Sequence, residues 1–292
     1  MKPIRKMPGR ILLFTVFLIF SGAVLPGCGR GRIVTLRGSA TLAPLAWKWA
    51  REFMSSHPGI TVRVESSESS AGIAVMISGG ADIGMTSRQP AANEVQAARR
   101  RLGVEPRIVP VALDAVAVFV SMKNPLDRMA LDTLRDIYLG KITDWKKAGS
   151  KKGPLIAYGY ARGSGSRDWF LEQVLGGAGY FPNVGELPDT DEVVAAVMSE
   201  PRAVGYGSSA FVKGVRIVRV ARKSVEWGFD PSDAAVSSGK YPLTRKLFFC
   251  LSARPSPDTA QFLDWVLSPE GQRMCRDAGY FPVRPVKRLP VE

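Results

Sequence analysis

The sequence predicts an α/β fold of two domains. Three observations carry that expectation. Strand-like and helix-like segments alternate along most of the chain, the pattern of a layered α/β protein. Its 292 residues suggest about two domains. Three times, a β-prone segment ends in a small-residue turn rich in Ser, Thr or Gly, and a helical pattern leaves that turn.

The first such unit is Arg37-Gly38-Ser39-Ala40-Thr41-Leu42-Ala43-Pro44. A strand over Arg32 to Leu36 leads in, and a helix begins with Ser39 or Thr41 near its N-cap. The first N–H groups of a helix have no intrahelical partner and carry the positive end of its dipole, so they suit an anion. Capping alone also explains one such turn; the repetition downstream is what points to a ligand. Leu45, Trp47, Trp49, Ala50, Phe53 and Met54 form one apolar helix face, with both tryptophans read as core and Lys48, Arg51 and Glu52 outward. Ser55-Ser56-His57-Pro58-Gly59 stops the helix and places His57 beside its C-terminal dipole. Ile60 to Val64 alternates as a strand.

The second unit is Ser66-Ser67-Glu68-Ser69-Ser70-Ala71-Gly72, with Ser69 or Ser70 at the cap of a helix that stops at Gly79-Gly80. Ala81 to Arg88 is a short strand ending in hydroxyls and a guanidinium. Arg88 either grips a tetrahedral oxyanion through its fork or is a surface ion-pair partner. A polar helix over 91–102 precedes a strand-rich apolar run, 106–120, interrupted by Asp114. That acid either caps or pairs locally, or marks where the chain leaves one domain for another. Leu131 to Leu139 is a helix closed by Gly140.

The third unit runs from Tyr158 to Leu171, with a strand over Leu155 to Tyr158 before it and a helix over Trp169 to Leu175 after it. Gly163 and Gly165 let backbone approach a ligand, and Ser164 and Ser166 bring hydroxyls to the helix start. The turn lacks the Gly-Lys-Ser/Thr end of a Walker loop and the length of a Gly-x-Ser-x-Gly elbow. Downstream, 190–200 is a helix, Val204-Gly205-Tyr206-Gly207 a turn, and Ala210 to Val220 a helix end and strand. Tyr241-Pro242-Leu243-Thr244-Arg245 leads into the apolar strand Leu247 to Leu251. Phe262 to Val266 is the last strong helix, restarted at Ser268-Pro269-Glu270-Gly271.

Composition narrows the chemistry. The net charge of +14 favours acidic partners. Basic residues are scattered except at Arg99-Arg100-Arg101, and no nucleic-acid motif is present, so no nucleic acid is expected. With His57 the single histidine, a multi-His metal site cannot be built, and a Ser-His-Asp or Cys-His site could use only that residue. No metal or cofactor is expected, and a hydrolase using Ser164 is disfavoured.

Residues 1–28 read as an export signal: Lys2, Arg5, Lys6 and Arg10, then the apolar run Ile11 to Phe20. Leu25-Pro26-Gly27-Cys28 resembles a lipobox, in which Cys28 would be lipidated; the alternative is a plain signal peptide cut nearby. Removal of 1–27 takes four positive and no negative charges and leaves about +10. In an oxidising compartment Cys250 and Cys275 either form a disulfide or stay as buried thiols.

From about Ile33 to about Val283 the chain resembles the periplasmic phosphate-binding proteins of ABC transporters. The resemblance rests on Gly38-Ser39-Ala40-Thr41-Leu42, Ser69-Ser70-Ala71-Gly72, and Ala81-Asp82-Ile83-Gly84 with Ser87-Arg88. It rests further on Leu134 to Trp145 (LRDIYLGKITDW), Gly163-Ser164-Gly165-Ser166-Arg167, Val204 to Gly207 and Tyr241-Pro242-Leu243-Thr244. It implies the type II periplasmic-binding-protein fold, two α/β domains joined by a two-strand hinge with an interdomain cleft. Domain I would comprise 33–113 plus 243–290 and domain II 114–242, inserted near Asp114 and left near Tyr241-Pro242.

The resemblance also implies a ligand set. Ser39, Thr41, Leu42, Ser69, Ser87, Ser164, Gly165 and Ser166 would hold inorganic phosphate, with Arg88 or Arg162 neutralising it. Two departures stand out. Ser87-Arg88 replaces the acidic residue that in many relatives accepts a phosphate proton, as in another branch of the family. Tyr160 stands where many relatives carry Arg, three residues before the GSG turn. The implied partners are permease subunits of the transporter and a membrane reached through a lipid anchor, with the protein exported to the periplasm or cell surface as a monomer. Another oxyanion such as sulfate or molybdate, or a phosphate sensor outside transport, is the alternative.

Overall fold

A computed structural model describes residues 32–151 and 153–283; the export signal and the lipobox with Cys28 lie outside the described residues. The chain runs β1 (Arg32–Ser39), α1 (Ala43–Ser56), β2 (Ile60–Ser67), α2 (Ser69–Ser78), β3 (Ile83–Thr86), α3 (Ala92–Leu102) and β4 (Arg107–Val120). It continues through β5 (Arg128–Ala130), α4 (Leu131–Tyr138), β6 (Ile156–Tyr160), α5 (Gly165–Gln173), β7 (Gly185–Leu187), α6 (Thr190–Ser199) and β8 (Ala203–Ser208). It closes with β9 (Arg216–Ala221), α7 (Asp233–Ser237), β10 (Thr244–Leu251), α8 (Pro257–Val266) and α9 (Pro269–Asp277).

The long strand β4 is the spine. Its first half pairs antiparallel with β10, and its second half pairs with β8 and β9. From Ala115 to Val120 every residue is buried. An unbroken apolar run of this kind belongs to a strand covered on both faces. The β4–β10 ladder slips between Leu247 and Phe248, opposite Ala112 and Pro110. Pro110 has no N–H for the ladder, and a bulge is where a strand tolerates that.

On one side of the spine, β2, β1 and β3 run parallel and β3 meets β10. On the other, β8, β6 and β7 follow β4, while β5 lies beside β9. The apolar side chains separate accordingly into two cores. One gathers Trp49, Phe53, Phe249 and Phe262, with Phe53 and Phe262 edge to face at 5.2 Å. The other gathers Phe119, Tyr138, Phe170 and Tyr206, with Phe170 stacked on Tyr206 at 3.8 Å. Each such side chain contributes about 1.5–3 kcal/mol by leaving water. Where the two cores adjoin, β4 presents Asp114 directly opposite Arg245 of β10.

Two local expectations are corrected. Val204 to Gly207 is not a turn but the middle of β8, and every residue of that strand is buried. Its glycines serve packing: a Cβ on Gly205 would fall 2.7 Å from Val193 Cγ1, and one on Gly207 would fall 2.6 Å from Thr190 Cγ2. Trp47 does not join Trp49 in the core. It is 48% exposed, and its indole N–H donates to the Val64 carbonyl at 3.0 Å. Trp49 is buried and donates to the Gly271 carbonyl at 2.7 Å. His57 caps the C-terminal end of α1 and stacks on Phe53 at 4.1 Å. Cys250 and Cys275 are both buried free thiols. No described helix is long and apolar enough to cross a membrane.

Candidate functional site: three helix starts around one cavity

A cavity of about 480 Å³ opens where the starts of α1, α2 and α5 meet. Ser39 and Thr41 line it from the β1–α1 turn, Ser69 from the first residue of α2, Ser87 from the residue after β3, and Ser164, Gly165 and Ser166 from the start of α5. Three turns that are remote in sequence therefore share one space.

Contacts across the space are short. Thr41 Oγ1 lies 3.3 Å from Ser166 Oγ, and Ser69 Oγ lies 3.4 Å from Ser87 Oγ. The Ser87 N–H donates to Ser69 Oγ at 3.2 Å, and the Ser70 hydroxyl donates to the Gly163 carbonyl at 3.4 Å. Gly165 permits this approach. A Cβ there would stand 2.3 Å from Ser69 Oγ and 2.5 Å from Ser87 Oγ. The Tyr280 hydroxyl holds the Thr41 carbonyl at 2.5 Å, which fixes the α1 side.

Helix registers differ slightly from expectation. Glu68, not a serine, occupies the cap position of α2, so Ser69 is the first helical residue; Ser164 caps α5 by position. Neither cap residue makes a side-chain cap bond. Leu42 holds the cap position of α1 and does not line the cavity. Its side chain is buried in the core, and its N–H already donates to the Ser39 carbonyl at 2.9 Å and to Ser39 Oγ at 3.2 Å.

The expected charge carriers stand elsewhere. Among the described residues, no lysine or arginine lines the cavity. Arg88 is next to it but occupied: Nη1 and Nη2 meet the two Glu94 carboxylate oxygens at 2.7 and 2.8 Å, and Nε meets Asp168 Oδ2 at 2.9 Å. The hydrogen bonds it donates to Glu94, more than any other influence, push the Arg88 guanidinium further up. Burial works against ionisation of Glu94, yet Arg88 and the Ala91 N–H outweigh it and hold the carboxyl below its usual range. Arg162 is exposed and absent from the wall. Ion pairing holds the Arg88 guanidinium, and Arg162 is exposed, so neither candidate lines the cavity.

Two groups that the sequence reading left out of the site belong to its surroundings. Arg245, 3% exposed, donates from Nη1 to Ser166 Oγ at 2.9 Å and is clamped by Asp114. Each half stood in the sequence, one acid inside the apolar run of β4 and one base leading the apolar run of β10, but their pairing did not. Trp47 and Phe211 give the outer cavity an aromatic wall, and Glu68, Asp189 and Asp191 give it an acidic one. Arg167 supports the α5 turn by donating to the Tyr160 carbonyl at 2.8 Å and pairing with Glu186 at 2.6 Å.

The inner cavity is therefore a ring of hydroxyls and helix-start amides with a buried guanidinium behind it. Such a ring can hold a small oxyanion by hydrogen bonds and dipoles without a metal. No cluster of His, Cys, Asp or Glu suited to a metal ion occurs among the described residues.

Comparison with known proteins agrees with this chemistry. A family model described as the PBP superfamily domain matches residues 27–270. The phosphate-binding protein PstS of Pseudomonas aeruginosa is 30% identical over 268 residues, covering 84% of this chain and 81% of that protein. PstS of Bacillus subtilis is 25% identical over 259 residues, covering 87% and 82%. A phosphate ABC transporter substrate-binding protein of Clostridium perfringens, solved with bound phosphate, superposes with a TM-score of 0.77 at 27% identity, covering 87% of this chain and 100% of that one. From its fold, its ring of helix starts and these relatives, the chain belongs to the PBP superfamily and, within it, to the PstS-like phosphate-binding proteins.

Proposed function

We propose that this protein captures inorganic phosphate between its two lobes and hands it to the permease subunits of an ABC importer, without catalysis. The observation that carries the reading is the convergence of Thr41, Ser69 and Ser164–Ser166 on one cavity. The relatives' phosphate-binding names and the phosphate-bound neighbour support the choice of anion. Hydrogen bonds to a charged group are worth about 1.5–3 kcal/mol each. A micromolar dissociation constant needs about 8 kcal/mol net of ordering costs, and a handful of such bonds suffices.

In this reading Ser39, Thr41, Ser69, Ser87, Ser164, Gly165 and Ser166 face the ligand. Domain I comprises 33–113 plus 243–290 and domain II 114–242, and β4 and β10 are the hinge. Cys28 carries a lipid that tethers a monomeric, exported protein to its membrane. Substituting Cys28→Ala should move the protein from the membrane fraction to the soluble one; retention in the membrane fraction contradicts the anchor.

Calorimetric titration with phosphate and with sulfate tests the ligand. One phosphate site at micromolar concentration is the expected result, and no heat with phosphate overturns the reading. A second reading, in which sulfate or molybdate is the ligand, is favoured by one observation. Ser87 stands where a proton-accepting carboxylate would reject a fully ionised anion. Sulfate binding as tight as phosphate in the same titration would establish it.

A further inference from the structure

Arg245 and Asp114 face each other across the β4–β10 ladder at the boundary of the two cores, 3% and 0% exposed. Arg245 Nε and Nη2 lie 2.9 and 2.8 Å from Asp114 Oδ2. The Ser208 hydroxyl donates to Asp114 Oδ1 at 2.6 Å. The carboxylate is thereby fixed from two sides, and it fixes the guanidinium plane in turn. Nη1 then points at Ser166 Oγ, 2.9 Å away, from behind the cavity wall.

A guanidinium has only donors. The Ser166 oxygen must therefore accept from Arg245, and its single proton is left for another partner. The other polar atom near that oxygen is Thr41 Oγ1 at 3.3 Å, itself on the cavity wall. The hydroxyl proton is thus turned toward the space where an anion would sit.

We propose that Arg245, clamped by Asp114, is the positioning residue of the anion site: it orients the Ser166 hydroxyl so that its proton is offered to the ligand and sets a buried positive charge behind it. The proposal rests on the anion-capture reading and deepens it. It explains how a cavity with no cation on its wall among the described residues attracts an anion. Lysine could not substitute, since its point charge cannot hold Asp114 and Ser166 in one fixed plane.

A cycle of variants titrated calorimetrically with inorganic phosphate tests this. Arg245→Lys is made in the wild type, in Ser166→Thr, which keeps the hydroxyl, and in Ser166→Ala, which removes it. The loss of affinity on Arg245→Lys should be about tenfold or more in the first two backgrounds and less than about twofold in the third. The same loss in all three backgrounds means that the arginine merely supports the fold, and the proposal falls; wild-type affinity in Arg245→Lys overturns it too. Thermal melting without phosphate checks that each variant folds. If Arg245→Lys does not fold, Asp114→Asn, which loosens the clamp, replaces it in the same cycle with the same criterion. A wild-type protein that binds no phosphate overturns the functional reading as well, whereas a binding wild type with background-independent losses overturns this proposal alone.

Discussion

Gly165 packs directly against the hydroxyls of Ser69 and Ser87, and no other residue type fits there without moving one of them. Gly165→Ala should weaken phosphate binding by about 1–3 kcal/mol, the usual cost of forcing an extra carbon into a packed site. Calorimetry reads that loss, and unchanged affinity would mean that the hydroxyls move aside freely. The two buried thiols give a second test at this scale. Burial pushes Cys250 and Cys275 up to about 12. Both should therefore resist alkylation by iodoacetamide at pH 8 in the native protein and react in denaturant, as read by site-resolved mass spectrometry. The serines and glycines of the site were legible in the sequence because their roles are local to a turn. The role of Arg88 was not: its partners Glu94 and Asp168 lie six and 80 positions away, and only folding shows that they claim the guanidinium first.

At the scale of elements, the start of α3 is the clearest electrostatic device. Glu94 reaches back to the Ala91 N–H at 2.7 Å and grips Arg88, tying the end of β3 to α3, while Arg88 ties both to α5 through Asp168. The Glu94 carboxyl sits below its unfolded range. Its contribution is therefore complete above about pH 4.3 and is lost as pH falls through the lowered native value. Glu94→Gln should lower the melting temperature by about 2–4 °C at pH 7, and that gap should close as pH drops below about 4. A gap that persists in acid would show that packing, not charge, is what Glu94 supplies. Element type was mostly readable from periodicity, with β8 the instructive exception. Two glycines in four residues read as a turn, yet here they make room for Val193 and Thr190 of α6, a neighbour that no local pattern names. Trp47 shows the same limit in reverse. It stands two positions from both Leu45 and Trp49, about 200° around α1 from their buried face, and lines the cavity instead.

For the whole molecule, β4 contributes to both apolar cores, and the cavity draws its walls from the starts of α1, α2 and α5. A ligand that bridges Thr41 and Ser166 stabilises the folded form by mass action. Phosphate at a hundredfold excess over its dissociation constant should stabilise the fold by about 2.7 kcal/mol. That should raise the melting temperature by about 5–10 °C for a chain of this size. No rise would mean that the ligand does not favour the folded state. The sequence allowed the three turns to be found and the two-lobe plan to be expected. It did not reveal the electrostatics, because Asp114 and Arg245 are 131 positions apart and meet only through the strand register.

Three helix starts serve one anion in the proposed site, and backbone amide NMR during a phosphate titration measures that most directly. The amides of Thr41, Ser69 and Gly165 should shift together, following one saturation curve with one dissociation constant. Shifts confined to a single turn, or separate curves for the three, would contradict the shared site.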